Sequence, residues 1–362
     1  MKIAIITCYA QNDYVRARVL RKALLDNPNV ETIIIRNQNK GVLRYPEVFW
    51  KVLKCKFSQK PDVFILTFRG QDMLPFMVLA KGRKPLVFDE LINSGEWLEE
   101  HKIIQRKSLA GRLFIGFYSW LIKRCRYVIA DTQAHADFSA KICHANNNKF
   151  VAIPVGTDET VFNAGAAKPT RSNKTDGKFE IFYYGNGRML PLHGWQYVFD
   201  AAVELAKTNP EVHFTLVGGK QDTEAAAQEA TTKGANITYK SWIPFEKLPQ
   251  AVANADLTLG GPFSKTLQSQ FVVTGKTYQF LSAGVPVLIG QNLASKKFIN
   301  KQNCLAVPLA STQAIINSII WATKHPAELK QIAAEGHKLY TQNFSQKIIT
   351  KQLAELLQSL ES

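Results

Sequence analysis

The stretch Tyr184-Gly-Asn-Gly-Arg-Met-Leu-Pro-Leu-His-Gly194 joins a predicted strand at 179–184 to a predicted helix at 195–207. Unpaired amides at a helix N-terminus and the helix dipole favour a bound anion, and glycines let the backbone come close to it. Arg188 and His193 would add donors for a phosphate group. The same glycines and proline also suit a tight loop that binds nothing. The stretch alone therefore leaves both interpretations open.

On both sides of this stretch, apolar strands alternate with helical patterns, which indicates parallel sheets covered by helices. A length of 362 residues favours two domains. A small, polar, proline-containing segment at 166–178 is typical of a linker. We therefore predict an N-terminal domain at 1–165, a second domain at 179–345, and a C-terminal helix at 346–362 that can cross back to the first domain.

The predicted strands fall into two series of six. They are 2–7, 30–36, 63–67, 86–89, 127–131 and 150–153, then 179–184, 213–218, 237–240, 257–260, 285–289 and 304–307. Predicted helices include 13–25, 134–142, 195–207, 312–324, 327–341 and 346–360. Ligands of such doubly wound sheets bind beyond the carboxyl ends of the strands, so the loops at those ends are the candidate site.

The formal charge of +16 predicts attraction to polyanions. Segment 102–126 has seven basic residues and no acidic one, interleaved with aromatic and aliphatic residues. This pattern favours an amphipathic helix on an anionic membrane surface, although a core helix with solvated charges has the same composition. A second basic segment, 36–60, holds seven Lys or Arg against Glu47 alone. No nucleic-acid-binding motif accompanies the charge, so we expect no nucleic acid partner.

Other features bear on the location of the protein. No stretch reaches the roughly 20 apolar residues that a membrane span needs, and residues 1–8 read as a buried strand, too short for a signal peptide. The five cysteines are scattered, which indicates neither a disulfide framework nor a zinc site. We therefore expect a cytoplasmic protein, peripheral on the inner face of the membrane.

Six motifs, in order, make the chain similar to the retaining GT-B glycosyltransferases of family 4. In the second half they are Pro191-Leu-His-Gly194, Leu216-Val-Gly-Gly219 and Gly275-Lys-Thr-Tyr-Gln-Phe-Leu-Ser-Ala-Gly-Val-Pro-Val287. In the first half they are Phe88-Asp-Glu90, Ala130-Asp-Thr-Gln-Ala-His135 and Ile153-Pro-Val-Gly-Thr-Asp158. The resemblance covers almost the whole chain. It implies an α/β GT-B fold, with two doubly wound Rossmann-like domains that face each other across a cleft.

The resemblance implies that the second domain binds a nucleotide sugar. It places Arg188 and His193 on the donor diphosphate, and Lys276 would add charge at the start of a helix. Gln279 stands where relatives carry a glutamate that accepts hydrogen bonds from ribose, and Phe271 replaces an earlier glutamate. The predicted donor-binding residues are Gly185, Gly187, Arg188, His193, Gly194, Gly218, Gly275, Lys276 and Gln279.

The resemblance implies that the first domain faces the acceptor. Asp89 is the best match for an acid near the acceptor and the sugar, and we predict Asp89 and Glu90 as catalytic, although Asp89 could instead cap a helix. His135 would line the cleft or cap the helix at 134–142. Tyr9 and Asn12, in the loop after the first strand, are predicted acceptor contacts.

These features predict a glycosyltransferase that moves a sugar from a nucleoside diphosphate sugar to a lipid-linked or cell-envelope glycan acceptor, with retention of configuration. No D-x-D pair occurs, so we expect no metal, and no cofactor besides the co-substrate. Two alternatives stay open. The first is a non-catalytic sugar-nucleotide or glycan-binding protein, which Phe271 and Gln279 favour, and the second is a sugar-nucleotide epimerase of the same architecture.

Overall fold

A computed structural model of the protein describes residues 1–10, 14–165, 177–185, 191–219 and 221–360. The strands are β1 (Lys2–Thr7), β2 (Glu31–Arg36), β3 (Val63–Leu66), β4 (Leu86–Asp89), β5 (Tyr127–Ala130), β6 (Phe150–Ala152), β7 (Phe179–Gly185), β8 (Val212–Gly218), β9 (Ile237–Lys240), β10 (Leu257–Leu259), β11 (Val287–Gln291) and β12 (Leu305–Pro308). The helices are α1 (Val15–Leu25), α2 (Arg44–Ser58), α3 (Leu74–Ala80), α4 (Ser94–Glu100), α5 (Leu109–Arg124), α6 (Gln133–Ile142), α7 (Trp195–Thr208), α8 (Gln221–Thr232), α9 (Leu248–Ala253), α10 (Gly275–Ser282), α11 (Thr312–Lys324), α12 (Pro326–Asn343) and α13 (Gln346–Gln358). Among the described residues, none of the helices combines the length and the apolar character that a bilayer span requires.

The chain divides into two compact units. Unit 1 comprises Met1–Gly156 and Gln346–Ser362, and unit 2 comprises Thr157–Ser345. The division falls nine residues before the predicted domain end at 165. Residues of this short segment are tied to unit 2, because Ser282 donates to the carbonyl of Phe162 and Tyr340 donates to the Glu159 carboxylate. The predicted linker 166–178 lies outside the described residues except for its last two positions.

Unit 1 is a six-stranded parallel sheet in the order β2-β1-β3-β4-β5-β6. Alternate strand residues point to opposite faces, so the unit has two apolar layers. One layer packs against α2, α3, α5 and α6. The other packs against α1 and α13, where the Gln346 side chain donates to the carbonyl of Val19. Ligand-binding loops are expected between β1 and β3, where the strand order reverses.

Unit 2 is a second six-stranded parallel sheet, in the order β12-β11-β10-β7-β8-β9. Helices α7, α8 and α11 bury their apolar faces on one side of it. Helix α10 covers the other side, where Phe280 contacts Phe182 edge-on. The strand order reverses between β10 and β7, which brings the ends of these strands together with the loops that follow them. The predicted α/β class with two doubly wound sheets is confirmed.

The predicted elements match the observed ones to within two residues at nearly every boundary, because strand periodicity and helix periodicity are both strong in this chain. Helix α11 begins and ends at the predicted residues. The largest shift at a strand start is at β11, which begins at Val287 rather than at residue 285. Pro286 precedes it, and proline lacks the amide that a ladder hydrogen bond needs.

A buried ion pair connects α1 to the carboxyl end of β4 in unit 1. The Arg16 guanidinium donates to Asp89 through Nε at 3.0 Å and Nη2 at 2.9 Å, and both side chains are fully buried. Nη1 of Arg16 donates to the carbonyls of Ile153 and Pro154, just after β6. One cation therefore joins the ends of two strands to a helix, and loss of one partner would leave a buried charge uncompensated.

We expect Arg16→Met to lower the free energy of unfolding by about 3–5 kcal/mol, because Asp89 would stay buried without its cation. A matched control is Lys22→Ala on the same helix, since Lys22 pairs with Asp26 at the surface and such pairs contribute only about 0.5 kcal/mol. Urea unfolding followed by circular dichroism measures both. Equal losses in the two variants would contradict a structural role for the buried pair.

Candidate functional site

The glycine turns of unit 2 bring backbone together at the carboxyl ends of β7 and β8. Gly218 has φ +94°, and a Cβ placed on it would lie 1.8 Å from the Gly185 carbonyl oxygen. A Cβ on Gly185 would lie 2.8 Å from the ring of Trp195, the first residue of α7. Gly194 has φ +64°, and a Cβ there would meet the backbone of Phe263 at 2.8 Å. A side chain would therefore displace backbone at Gly218 and Gly194 and the Trp195 ring at Gly185.

A lysine and a histidine lie beside these turns. Lys276, in the first turn of α10, places Nζ 3.3 Å from Nδ1 of His193 and 3.1 Å from the Tyr183 hydroxyl. The same Nζ lies 4.4 Å from the centre of the Tyr183 ring. Lys276 is 7% exposed and has no carboxylate partner among the described residues. A buried lysine and a partly buried histidine thus lie side by side, and no acidic side chain in the described part of the chain balances them.

This position changes the protonation of both groups. Burial lowers the pKa of Lys276 to about 7. Burial, and then the neighbouring positive charge of Lys276, lower the pKa of His193 well below its usual value. An anion placed against Lys276 would favour the charged form and raise its pKa again. An anion and a proton bound at this position would therefore stabilise each other.

The first turn of α10 adds backbone donors next to this lysine. Its N-cap residue, Thr274, makes no side-chain capping bond, and the first helical residue, Gly275, is exposed. Farther along the helix, Gln279 is buried and its Oε1 accepts a hydrogen bond from the Tyr184 hydroxyl. The predicted ribose acceptor therefore already has a protein partner at the end of β7.

The structure brings together the described members of the predicted donor set, but some predicted residues fall outside it. Gly187, Arg188 and Asn12 lie outside the described residues. The sequence pattern pointed to Lys276 and His193 separately. It did not point to Tyr183, whose hydroxyl contacts Lys276, because the apolar pattern of a strand predicts only that such a residue is buried in the core.

In unit 1, the predicted catalytic residue Asp89 is held by protein donors. Besides Arg16, the amide of Phe68 donates to its Oδ2 at 3.1 Å. The helix that follows is capped by Asn93, whose Oδ1 accepts from the amides of Gly95 and Glu96, so Asp89 is not the cap. Direct contact between Asp89 and a substrate would require opening a buried ion pair, which is energetically costly.

Glu90, next in the chain, belongs to a different buried cluster. Its Oε1 accepts from the Tyr118 hydroxyl at 2.6 Å and from Nδ2 of Asn93 at 3.2 Å. Its Oε2 lies 3.8 Å from Nε2 of His135, and neither atom has a hydrogen-bond partner among the described residues. Burial raises the pKa of Glu90, so the neutral acid is favoured.

His135 is oriented by Asp131, the residue that follows β5. Its Nδ1 lies 2.7 Å from Oδ1 of Asp131. The backbone amide of His135 donates to Oγ1 of Thr132. Burial acts to lower the pKa of His135, but the hydrogen bond to Asp131 and the nearby carboxylates outweigh it and raise the pKa to about 9. The helix cap is therefore Thr132, and the imidazole is free to hold a proton in the cluster.

Glu96, which sequence reasoning missed, completes the cluster. It lies in the first turn of α4, is 2% exposed, and its Oε1 has no partner. Burial raises its pKa to about 8, although the charge of His135 opposes the shift. No motif distinguishes Glu96 from an ordinary first-turn glutamate that favours the helix dipole, so only its burial reveals it.

Aromatic side chains surround the first loop of unit 1. The amide of Tyr9 donates to Oδ1 of Asn37, and its ring packs edge-on against Tyr14. The guanidinium of Arg69 lies 5.5 Å from the ring centres of Tyr9 and Phe68. Arg69 adopts φ +63°, a conformation uncommon for a residue with a side chain. In the described ranges, no group of three His, Cys, Asp or Glu is arranged to hold a metal ion.

Part of the chain matches a known protein family. Residues 200–355 match a family model described as glycosyl transferase-like. This range contains Gly218, Gly275, Lys276 and Gln279 and begins after His193. A search of curated proteins finds no match.

The chain is similar over its whole length to several solved structures. HepE from Anabaena in complex with UDP is 18% identical with a TM-score of 0.74, and 99% of this chain and 100% of that chain are covered. A sucrose-phosphate synthase from Thermosynechococcus elongatus is 15% identical with a TM-score of 0.75, and 99% of each chain is covered. The apo form of WaaB, a lipopolysaccharide outer core galactosyltransferase, is 14% identical with a TM-score of 0.64, and 99% of each chain is covered. The likeness confirms the GT-B fold, and with the family match it supports a glycosyltransferase, the predicted class of enzyme.

The Glu90 cluster, which comprises Glu90, Glu96, Asp131 and His135, predicts a pH-dependent stability for unit 1. The pKa values of Glu96 and His135 are both raised in the folded state, so the native state binds more protons than the unfolded state. The stability they contribute is present at about pH 5 and is lost as the pH rises through about 8–9. We expect Glu96→Gln to raise the free energy of unfolding at pH 9 by about 2–3 kcal/mol relative to the native chain.

Hydrogen exchange at the amides of β4 and β5 measures this loss within unit 1. A matched control is Glu31→Gln, since Glu31 is exposed and pairs with Lys2 at the surface. A protection profile for Glu96→Gln that still falls with pH as steeply as the native profile would show that the cluster does not titrate in this range.

Proposed function

We propose that this protein transfers a sugar from a nucleoside diphosphate sugar to a lipid-linked or cell-envelope glycan acceptor, with retention of anomeric configuration. The observation that carries the proposal is the buried Lys276 ammonium beside the partly buried His193, with no described carboxylate to neutralise it. An uncompensated cation in a buried site costs free energy unless a ligand supplies the opposite charge. A diphosphate supplies that charge.

The surroundings of Lys276 fit a diphosphate better than a single carboxylate. The exposed start of α10 offers amides, and Gly185 and Gly218 keep side chains away from the backbone at the ends of β7 and β8. Backbone amides and glycine turns at these strand ends are the usual elements of nucleotide sites in doubly wound sheets. Arg188, three residues before Pro191 in the chain, would add a bidentate donor.

The solved relatives suggest which donors to test first. Structures of HepE hold UDP, UDP with glucose, and UDP-glucose. Those ligands are findings on HepE, and the low identity of 17–19% leaves base and sugar open for this chain. A uridine diphosphate sugar is therefore the first donor class to test, ahead of guanosine and adenosine donors.

The proposed reaction relies on charge and positioning. In retention, the acceptor hydroxyl attacks the anomeric carbon from the side of the leaving diphosphate, and the diphosphate oxygen accepts the proton. Lys276 and His193 would stabilise the charge that develops on that leaving group. In unit 1, Asp89 would hold the loops after β4 and β6 through Arg16, and Glu90 and His135, which are buried, would position the loops after β4 and β5 beside the acceptor.

The proposal extends to location and metal use. Lysine, histidine and helix amides would neutralise the leaving group, so we propose transfer without a divalent metal. A lipid-linked acceptor would place the reaction at the cytoplasmic face of the membrane, where nucleotide sugars are present.

A non-catalytic nucleotide-binding protein is the second candidate. It is favoured by Gln279, whose carbonyl oxygen accepts from Tyr184 and which lacks the charge that the family's glutamate would give to a ribose contact. Phe271 removes the other acidic position. This candidate shares the phosphate site of the first and differs from it only in turnover.

We expect binding of the nucleoside diphosphate at pH 7.5 to take up a proton, because Lys276 has a pKa of about 7 without an anion. Calorimetry with UDP in two buffers of different ionisation enthalpy measures this uptake, which should fall towards zero at pH 6, where the lysine already carries its proton. Lys276→Arg should bind UDP with little uptake, and Lys276→Met should lose about tenfold or more in affinity. Lys330→Met, at an exposed position on α12, is the control. Unchanged affinity in Lys276→Met would remove the phosphate assignment.

Transfer from a panel of nucleotide sugars to glycan and lipid-linked acceptors tests turnover directly. We expect product with the starting anomeric configuration, a loss of about a hundredfold in kcat/KM in Lys276→Met, and no change on addition of EDTA. Activity that EDTA abolishes and magnesium restores would contradict the metal-independent mechanism. UDP binding without turnover on any acceptor would favour the non-catalytic candidate, and epimerised donor released without acceptor would indicate an epimerase.

A further inference from the structure

The outer surface of unit 1 carries an unusual concentration of exposed apolar side chains. Of the sixteen large apolar residues that are exposed among the described residues, eleven lie in three segments, 40–60, 71–85 and 102–126. They are Val42, Leu43, Trp50, Phe57, Phe76, Leu79, Ile103, Leu109, Leu113, Phe117 and Trp120. Exposed apolar residues scattered singly need no explanation, but a concentration on one surface marks an interaction site.

These segments form one surface. They contain α2, α3 and α5, which pack their buried sides on the same face of the first sheet, so their outer sides look in the same direction. An aromatic contact joins two of these helices, since the ring of Phe49 on α2 packs edge-on against the ring of Phe76 on α3, with 6.0 Å between ring centres. Within α2, the ring of Phe49 also packs edge-on against Trp50, at 6.2 Å. We name this surface, made by the outer sides of α2, α3 and α5, the three-helix surface.

Helix α5 shows that the exposed residues are a second apolar face and not the edge of the first. Tyr118, Leu121 and Ile122 are buried against the sheet. Leu109 and Leu113 are 75% and 67% exposed, and with Phe117 and Trp120 they follow the spacing of one helical stripe. A core helix with solvated charges accounts for the buried side of α5 but does not account for this exposed apolar stripe.

The same three segments carry nearly all of the net charge of the protein. They hold sixteen Lys or Arg residues against two acidic ones, a formal charge of +14 within a total of +16. Both acidic residues are engaged, Glu47 by Lys51 and Asp72 by the Tyr45 hydroxyl. Cations also lie over exposed rings, with Arg124 3.6 Å from the ring centre of Trp120 and Lys56 5.5 Å from that of Phe57.

We propose that the three-helix surface docks on an anionic lipid bilayer, with its apolar side chains in the interfacial region and its basic residues on lipid phosphates. Aromatic and aliphatic residues interleaved with Lys and Arg are what an interfacial surface requires, since the former bury apolar area and the latter add about 1 kcal/mol each by attraction to acidic lipids. Nucleic acid would match the charge but offers no apolar layer for Val42, Leu79 and Leu113. A second copy of the chain would bring +14 against +14, which opposes association.

The surface is connected to the candidate acceptor residues through α5. The outer side of this helix carries the exposed stripe, and from its buried side the Tyr118 hydroxyl donates to Glu90. A docked α5 would therefore place the Glu90 cluster one helix diameter, about 10 Å, from the lipid surface. This extends the proposed function, since a lipid-linked acceptor would reach unit 1 from the bilayer, but its test does not depend on sugar transfer.

The test is flotation of the full chain with vesicles of phosphatidylcholine, with or without phosphatidylglycerol. We expect flotation only with the anionic lipid. Trp50→Ser on α2, Leu79→Ser on α3 and Phe117→Ser on α5 should each weaken partition by about tenfold, and Lys54→Glu and Arg112→Glu by about 25-fold. These residues are exposed, so the variants should fold. Matched controls are Leu25→Ser and Lys347→Glu, which are exposed on α1 and α13 at the opposite face of the same sheet.

Three results would overturn the proposal. The first is a native chain that floats with neither vesicle, and the second is a loss in the controls as large as the loss in the test variants. The third is native-like flotation of the α2 and α3 variants while only those of α5 fail, which would leave a single-helix anchor. Light scattering tests for a dimer of this chain, and a gel-shift assay tests for bound nucleic acid. A dimer or a nucleic acid complex that is lost in Trp50→Ser and Leu79→Ser would assign the surface to that partner. Flotation without UDP binding would keep the surface and refute the donor site.

Discussion

Parallel strand pairing is the constraint on which the rest of this structure depends. Each pair of neighbouring parallel strands needs a crossover connection, and the crossovers cover both faces of the sheet with helices. The loops that matter for chemistry are then collected at one edge. In unit 2 this edge holds Gly185, Gly218, His193 and Lys276, and in unit 1 it holds Asp89, Glu90 and Asp131. Residues far apart in the chain become neighbours because the fold leaves their loops no other place.

The two edges use buried charge in opposite ways. In unit 2, Lys276 and His193 are basic groups without a described counter-charge, so the site gains stability when an anion arrives. In unit 1, Asp89 has its cation in place, and Glu90 and Glu96 are shifted towards their neutral forms by burial. The first arrangement suits a ligand that brings negative charge. The second is a buried set of neutral acids and a protonated histidine, which hydrogen-bond to one another and to neighbouring protein groups.

Helix α5 shows how one element can serve two environments. Its buried side supplies Tyr118 to the Glu90 cluster, and its outer side is apolar and exposed. Basic residues flank the exposed stripe of α5, and basic residues also lie beside the exposed apolar residues of α2. A composition that is ambiguous in the linear chain, between a core helix and a membrane-surface helix, becomes interpretable once the buried side is identified, because the remaining apolar side must then face something other than the core.

The sequence by itself determined the two series of strands and the two doubly wound sheets, and it marked Lys276, His193, Glu90 and His135 as candidates, because strand and helix periodicities are local and strong and the motifs stand at strand ends. It could not determine which charges pair. Arg16 reads as one of several basic residues on an exposed helix, yet it is buried against Asp89, 73 residues away. From the sequence alone, Glu96 is expected to be a solvated acid in the first turn of a helix, and Tyr183 is expected to be a core residue. Only the tertiary structure decided these roles, because burial and counter-charge depend on which distant strands and helices meet, and those contacts set both the pKa values and the free side of each helix.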